Sequence, residues 1–260
     1  MAAGTRGFGF GHGNVWAVHT AWSGNHATFA ELGHVHAHML QFSGAIWYPM
    51  VYRFPQKMKD ALSSKKRVTQ MERALRYAEQ IGAPHIIPSA GPPCFLDDAL
   101  WYLNDFDRDP TNIFSDATVF LELVEKAGFT RGHLAIPESV LTITPGHVEV
   151  AHPMPDDEVM AIFTDKRGHL EAYKARQAET LAAEKASWPR GQVEILPALK
   201  AWFEPVLELA DQTAVGIDDL LLLDLGEGGQ IVIDFIERKV YAWDGVTPTR
   251  FKFVLDPALV

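Results

Sequence analysis

Two short apolar runs, 38–43 (HMLQFS) and 85–88 (HIIP), flank one helical stretch in which Val68, Met71, Leu75, Ala78 and Ile81 recur at three-four spacing, with Gly82 as the stop. Strand, helix, strand of this length closes only as a right-handed crossover, and that makes the two strands parallel. The loops Ser43-Gly44-Ala45 and Ser89-Ala90-Gly91 then open at one end of a sheet. Open α/β folds place their ligands at that end. Small residues there let a ligand approach the backbone, so Gln41, Ser43, Gly44, Ser89 and Gly91 are the candidate substrate-binding residues.

Around this unit the chain changes texture. The first thirty residues are rich in Gly, His and Trp with almost no charge before Glu31. Val15 to Ala21 suits a strand, and Gly7, Gly9, Gly11 and Gly13 suit turns; with His12 in the way they do not make the G-x-G-x-x-G of a nucleotide loop. Asp116 is placed to cap a helix carrying Phe120, Leu123 and Val124 and ending at Gly128. Leu134 to Pro137 reads as a strand, and 140–144 and 148–152 as a hairpin about Pro145-Gly146. Residues 155–188 read as a helical connector with Val159, Ile162, Phe163, Leu170 and Tyr173 inward. An amphipathic helix over 195–209 precedes strands near 220–225, 231–235, 240–243 and 251–255, expected as a meander. The expected fold class is therefore α/β followed by α+β.

Charge narrows the partners. With 33 acidic against 23 basic residues the formal charge is -10, which repels nucleic acid and anionic lipid. The cluster Lys65-Lys66-Arg67 reads as the solvated start of a helix. There is no run of about 18 apolar residues and no apolar core of a signal peptide at the start, so the expected setting is cytoplasmic, away from membranes. One cysteine, Cys94, excludes internal disulfides and is read as a buried, inert thiol.

Histidines at 34, 36 and 38 invite a metal reading. At period two in a regular strand, successive imidazoles stand roughly 7 Å apart, too wide for all three to reach one ion. No ligand set is assigned on them, and no residue is assigned to catalysis. Asp97, Asp98, the group from Asp105 to Asp109, and Asp156-Asp157 are read as helix and turn caps.

Long stretches resemble a known family: HMLQFSGAIWYPMVY at 38–52, PSAGPPCFLDD at 88–98, NIFSD at 112–116, MAIFTDK at 160–166 and LKAWFEPVL at 199–207. They are similar to the middle of fused metallo-β-lactamase-like and Rieske proteins, the UDP-N-acetylmuramic acid hydroxylase family, related to CMP-N-acetylneuraminic acid hydroxylase. The resemblance implies the second half of a metallo-β-lactamase-like αββα sandwich, then a sterol-carrier-like α+β segment. It also implies a monooxygenase that converts the N-acetyl group of a nucleotide-activated amino sugar to N-glycolyl, with electrons supplied through a Rieske cluster. The family's H-x-H-x-D-H and cluster ligands lie outside the matched region, so the [2Fe-2S] cluster and metal are expected only in the full-length family protein. This chain, read as a fragment or chimera, is expected to be inactive alone. Its expected ligand is a nucleotide sugar, and a half-domain surface is expected to self-associate. In the family's Gly-His-x-Asp-x-His-Met pattern, His34 and His38 fall on histidines and His36 on the aspartate.

The opening GTRGFGFGHGNVWAVHTAWSGNH, residues 4–26, instead resembles the N-terminal β-sandwich of family 36 α-galactosidases, whose catalytic aspartates lie in a barrel that has no counterpart here. The expected organisation is 1–31 α-galactosidase-like, 32–153 partial metallo-β-lactamase-like, 154–192 helical connector and 193–260 truncated α+β domain, with a junction near Glu31 to Gly33.

Overall fold

A computed structural model describes residues 7–12, 15–20, 34–43, 47–89, 91, 94–129, 131–187 and 195–255, the first two stretches by their backbone only. The junction expected near 31–33 lies outside the described residues. The chain divides into two compact units, Met1–Arg176 and Gln177–Val260.

In the first unit, β1 (Gly7–His12), β2 (Val15–Thr20), β3 (Ala37–Gln41) and β4 (His85–Ser89) form a four-stranded sheet in that order. The glycines expected to make turns instead form β1, paired antiparallel with β2. Glycine at alternate positions has the period of a strand, and the ladder overrides its weak propensity. β2 and β3 are parallel, as are β3 and β4, whose register sets Gln41 opposite Ser89. The crossover geometry read from the sequence is thus the geometry of the molecule.

Both faces of β3 and β4 are covered, which is why these two strands read as continuous apolar runs. On one face α1 (Gln56–Ile81) and α2 (Ala117–Lys126) pack through Met71, Ala74, Ala78, Phe120 and Val124 against Leu40, Phe42 and Ile86. On the other, β5 (Val140–Thr144) and β6 (His147–Ala151) form a hairpin about Pro145-Gly146, and Leu141, Ile143, Val148 and Val150 meet Ala37, Met39 and Ile87. The layers run helices, sheet, hairpin.

Four of the five expected stripe residues on α1 face the core: Met71 and Ala78 are buried and Leu75 and Ile81 pack half-buried, while Val68 is exposed and Ser63, Gln70 and Ala74 complete the buried face. Small alanines allow the helix close to the sheet, while the Ser63 hydroxyl donates to the Met50 sulfur at 3.4 Å. Gly82 ends α1 in the left-handed region, φ 64°, its N–H donating to Ala78 O. Asp116 caps α2 by accepting from Thr118 N at 3.0 Å. The 134–137 stretch is no strand: its approach touches β4 through a single parallel bridge, Ile86 to Gly132. α3 (Asp156–Thr164) and α4 (Lys166–Ser187) follow, broken at Asp165; Val159 is the buried anchor of α3.

The second unit holds α5 (Ile195–Leu209), α6 (Asp211–Ile217) and the sheet β10-β7-β8-β9, from β7 (Leu220–Asp224), β8 (Gln230–Asp234), β9 (Lys239–Ala242) and β10 (Phe251–Val254). Leu199 and Leu207 of α5 pack on Leu223, Ile231, Ile233 and Val240. The expected meander is corrected at its end: β10 runs parallel to β7 rather than antiparallel to β9. Alternation of apolar residues marks a strand but does not name its neighbour. Asp234 closes the β8–β9 turn, accepting from Ile236 N and Glu237 N through Oδ1 and from the Tyr241 hydroxyl through Oδ2.

Candidate functional site

A cavity of about 450 Å³ lies beyond the carboxyl ends of β3 and β4. Its size falls in the ordinary range for small-ligand sites. Phe42, Pro88, Ser89 and Gly91 form the strand-end wall, Asp116 and Ala117 the start of α2, residues 135–137 a third side, and Phe163, Lys166 and Leu170 the helical side.

Of the residues singled out from the sequence, Ser89 and Gly91 line this cavity. The Ser89 hydroxyl is shut off from solvent and has no hydrogen-bond partner among the described residues. A Cβ at Gly91 would meet the Phe42 ring at 3.7 Å, an ordinary van der Waals contact. Gln41 and Ser43 stand outside the cavity lining: Gln41 Nε2 donates to Ser43 O at 3.5 Å, and the buried Ser43 hydroxyl donates to Ile113 O at 3.4 Å. Gly44 lies outside the described residues.

Sequence reasoning missed Lys166. Its Nζ donates to Asp105 O and to Asp116 Oδ2, both at 3.4 Å, and two such long contacts leave ammonium donor capacity facing the cavity. The signal was present in MAIFTDK, but nothing in the spacing ties residue 166 to strand ends 77 and 125 residues earlier. Beneath it lies a network that corrects the reading of Lys65-Lys66-Arg67 as a solvated face. Lys66 Nζ donates to Tyr48 O, and Arg67 Nη1 donates to Asp105 Oδ2 at 3.2 Å, to Asn112 O at 2.9 Å and to Asp109 O. Burial pushes the Asp105 carboxyl up from its ordinary value, with Arg67 and then Lys166 opposing the rise.

Cys94 is exposed at the cavity edge, not buried as expected. Partial burial of its thiol still raises it above the ordinary value, against the pull of Lys166, so it stays protonated and is no nucleophile near neutral pH. Of the acids read as caps, Asp97 accepts from Ala99 N, Asp105 from Asp109 N and Asp109 from Thr111 N, whereas Asp98 pairs with Lys174, Asp107 with Arg167, and α3 starts at Asp156 with no side-chain cap bond.

The histidines at 34, 36 and 38 do not share one strand face. β3 starts at Ala37, so only His38 belongs to it, wholly buried; His36 is buried before it, and exposed His34 sets its ring edge-on to His36 at 4.7 Å. Among the described residues no three of His, Cys, Asp or Glu stand where they could hold one metal ion. Among the described residues, no helix is long and apolar enough to cross a membrane.

Comparison with known proteins follows this geometry. Two proteins from strains of Mycobacterium tuberculosis, each named "Putative Rieske 2Fe-2S iron-sulfur protein", are 43% identical over 234 residues, 89% of this chain and 45% of theirs. A protein of the same name from Mycolicibacterium smegmatis is 43% identical over 236 residues, 88% of this chain and 45% of its own. The chain thus spans under half the length of these relatives. Residues 195–260 match the family described as Rv3818-like, SCP2-like domain, and the second unit ends in an SCP2-like domain. Residues 1–46 match the glycosyl hydrolase family 36 N-terminal domain, running past Glu31 into the loop after β3. No solved structure gives a significant match.

Proposed function

We propose, taking the similarity to Rieske-named proteins as the premise, that this chain is the substrate-holding part of a hydroxylase acting on the N-acetyl group of a nucleotide-activated amino sugar. In this reading the first unit is the later half of a metallo-β-lactamase-like sandwich, joined at its start to a segment of glycosidase origin. The cavity at the ends of two parallel strands carries the proposal, because it combines a strand-end wall of Phe42, Ser89 and Gly91 with one ammonium.

A Rieske centre takes two cysteine and two histidine ligands. Cys94 is the only cysteine, so these residues do not fit the cluster and no reaction step is routed through it here. What this chain's own groups do is bind. The Lys166 ammonium faces a diphosphate, and the ligand rests against Phe42, Ser89 and Gly91. Asp116, beside Lys166, holds that ammonium in place and disfavours a second anion.

Thermal unfolding with millimolar UDP-N-acetylmuramate tests this. Ligand at about a hundred times its Kd stabilises by roughly 2.7 kcal/mol, a rise of roughly 5–10 °C. Lys166→Ala, compared with its own ligand-free state, should lose most of the rise; no shift in the unaltered protein counts against the reading.

A further inference from the structure

The opposite end of the sheet carries a second arrangement, independent of what the cavity binds. His85 opens β4, and its Nδ1 stands 2.8 Å from His133 Nε2. Arg131 Nη1 lies 3.5 Å from His85 Nε2. A guanidinium only donates, so His85 Nε2 is the acceptor and its one proton sits on Nδ1, donated to His133 Nε2. Both imidazoles are then neutral, and each nitrogen in the chain of contacts has a fixed role.

No further proton can be added without loss. On His133 it would go to Nε2 and face the His85 N–H; on His85 it would go to Nε2 and face Arg131. The other groups bearing on the pair are of the same sign when charged: His147 at the start of β6, and His36 ahead of β3. Burial first, then these neighbours, holds both rings below the ordinary histidine value.

The pair also sits where a small separation matters. β4 is an edge strand, and 131–133 covers that edge through Ile86 N donating to Arg131 O and His133 N donating to Ile86 O, both at 2.9 Å. A Cβ at Gly132 would stand 2.6 Å from Leu121 Cδ2, so any other residue there would make the Leu121 side chain shift. The same stretch continues as Leu134, in a second cavity of about 780 Å³, and as Ala135, Ile136 and Pro137, in the wall of the first.

We propose that the His85–His133 hydrogen bond is a proton-sensitive clasp that fastens residues 131–137 to the edge of β4 and lets them go in mildly acidic solution. A group whose folded-state value is lowered favours the closed form fully above its ordinary value, and that preference is lost as pH falls through it toward the lowered one. The window therefore lies below about pH 6.5, the free histidine value.

Amide hydrogen exchange on the full chain, expressed as protection relative to intrinsic rates, reads this directly. Between about pH 7.5 and about pH 5 the His133 amide, which donates to Ile86 O, and the Ile136 amide, which donates to Ser139 Oγ, should lose roughly tenfold in protection, while β3 keeps its own. His133→Gln, whose side-chain carbonyl still accepts from His85 Nδ1 but cannot titrate, should shrink the fall to what His85 alone contributes. His152→Gln removes the imidazole bonded to Ser139 nearby and should leave the fall intact. Constant protection in the unaltered protein overturns the proposal, as does an undiminished fall in His133→Gln or one that vanishes in His152→Gln.

Discussion

Replacing Arg67 by methionine should destabilise the first unit by about 3–5 kcal/mol near neutral pH, the usual consequence of leaving a buried charge without its partner. The Arg67 and Asp105 side chains are 13% and 1% exposed, so solvent cannot take over the lost contact. Asp105 also holds a left-handed backbone, φ 50°, and the same guanidinium ties down the carbonyls of Asp109 and Asn112. The pH dependence has a definite sign. Burial already raises Asp105, and removing Arg67 takes away the main opposing influence. A carboxyl raised in the folded state favours folding below its unfolded value, and that advantage disappears as pH rises through the folded one. The gap between variant and unaltered protein in urea denaturation should therefore be widest at neutral pH and narrow toward pH 4. An equal gap at both would contradict a charged Asp105 as the origin.

Phe120→Ala should cost a similar amount, about 3–5 kcal/mol, for a different reason. The Phe120 ring is fully buried and stacks on Phe42 with centroids 5.2 Å apart and planes 19° from parallel. That stack joins α2 to the end of β3, and Phe42 is also a wall of the cavity. Truncation leaves a void that helix and sheet cannot both close. A loss under about 1 kcal/mol in denaturant unfolding would mean that α2 does not pack on this sheet.

Much of this architecture was legible because it rests on periodicity and chain reach. The parallel pair β3 and β4, the hairpin about Pro145-Gly146 and the Asp116 cap each follow from spacing alone. The misses share a physical cause: they depend on what meets what in space. The inward face of α1 contains Ser63 and Gln70, which no hydropathy stripe selects. β10 shows strand alternation, yet its partner is β7. Ser89 and Gly91 could be placed by the crossover, but Lys166 reaches the same cavity from a helix that no local pattern connects to it. His133 was invisible for the same reason, lying 48 residues from its partner His85. The three histidines at 34, 36 and 38 drew attention through proximity in sequence, while the hydrogen-bonded histidine pair is a long-range one.

The most direct test of the binding proposal is a crystal structure of the chain with UDP-N-acetylmuramate. The account predicts the diphosphate beyond the ends of β3 and β4, within hydrogen-bond distance of Lys166 Nζ, with the ligand resting against Phe42, Ser89 and Gly91. Ligand ordered elsewhere on the chain, with that cavity holding only solvent, would contradict it.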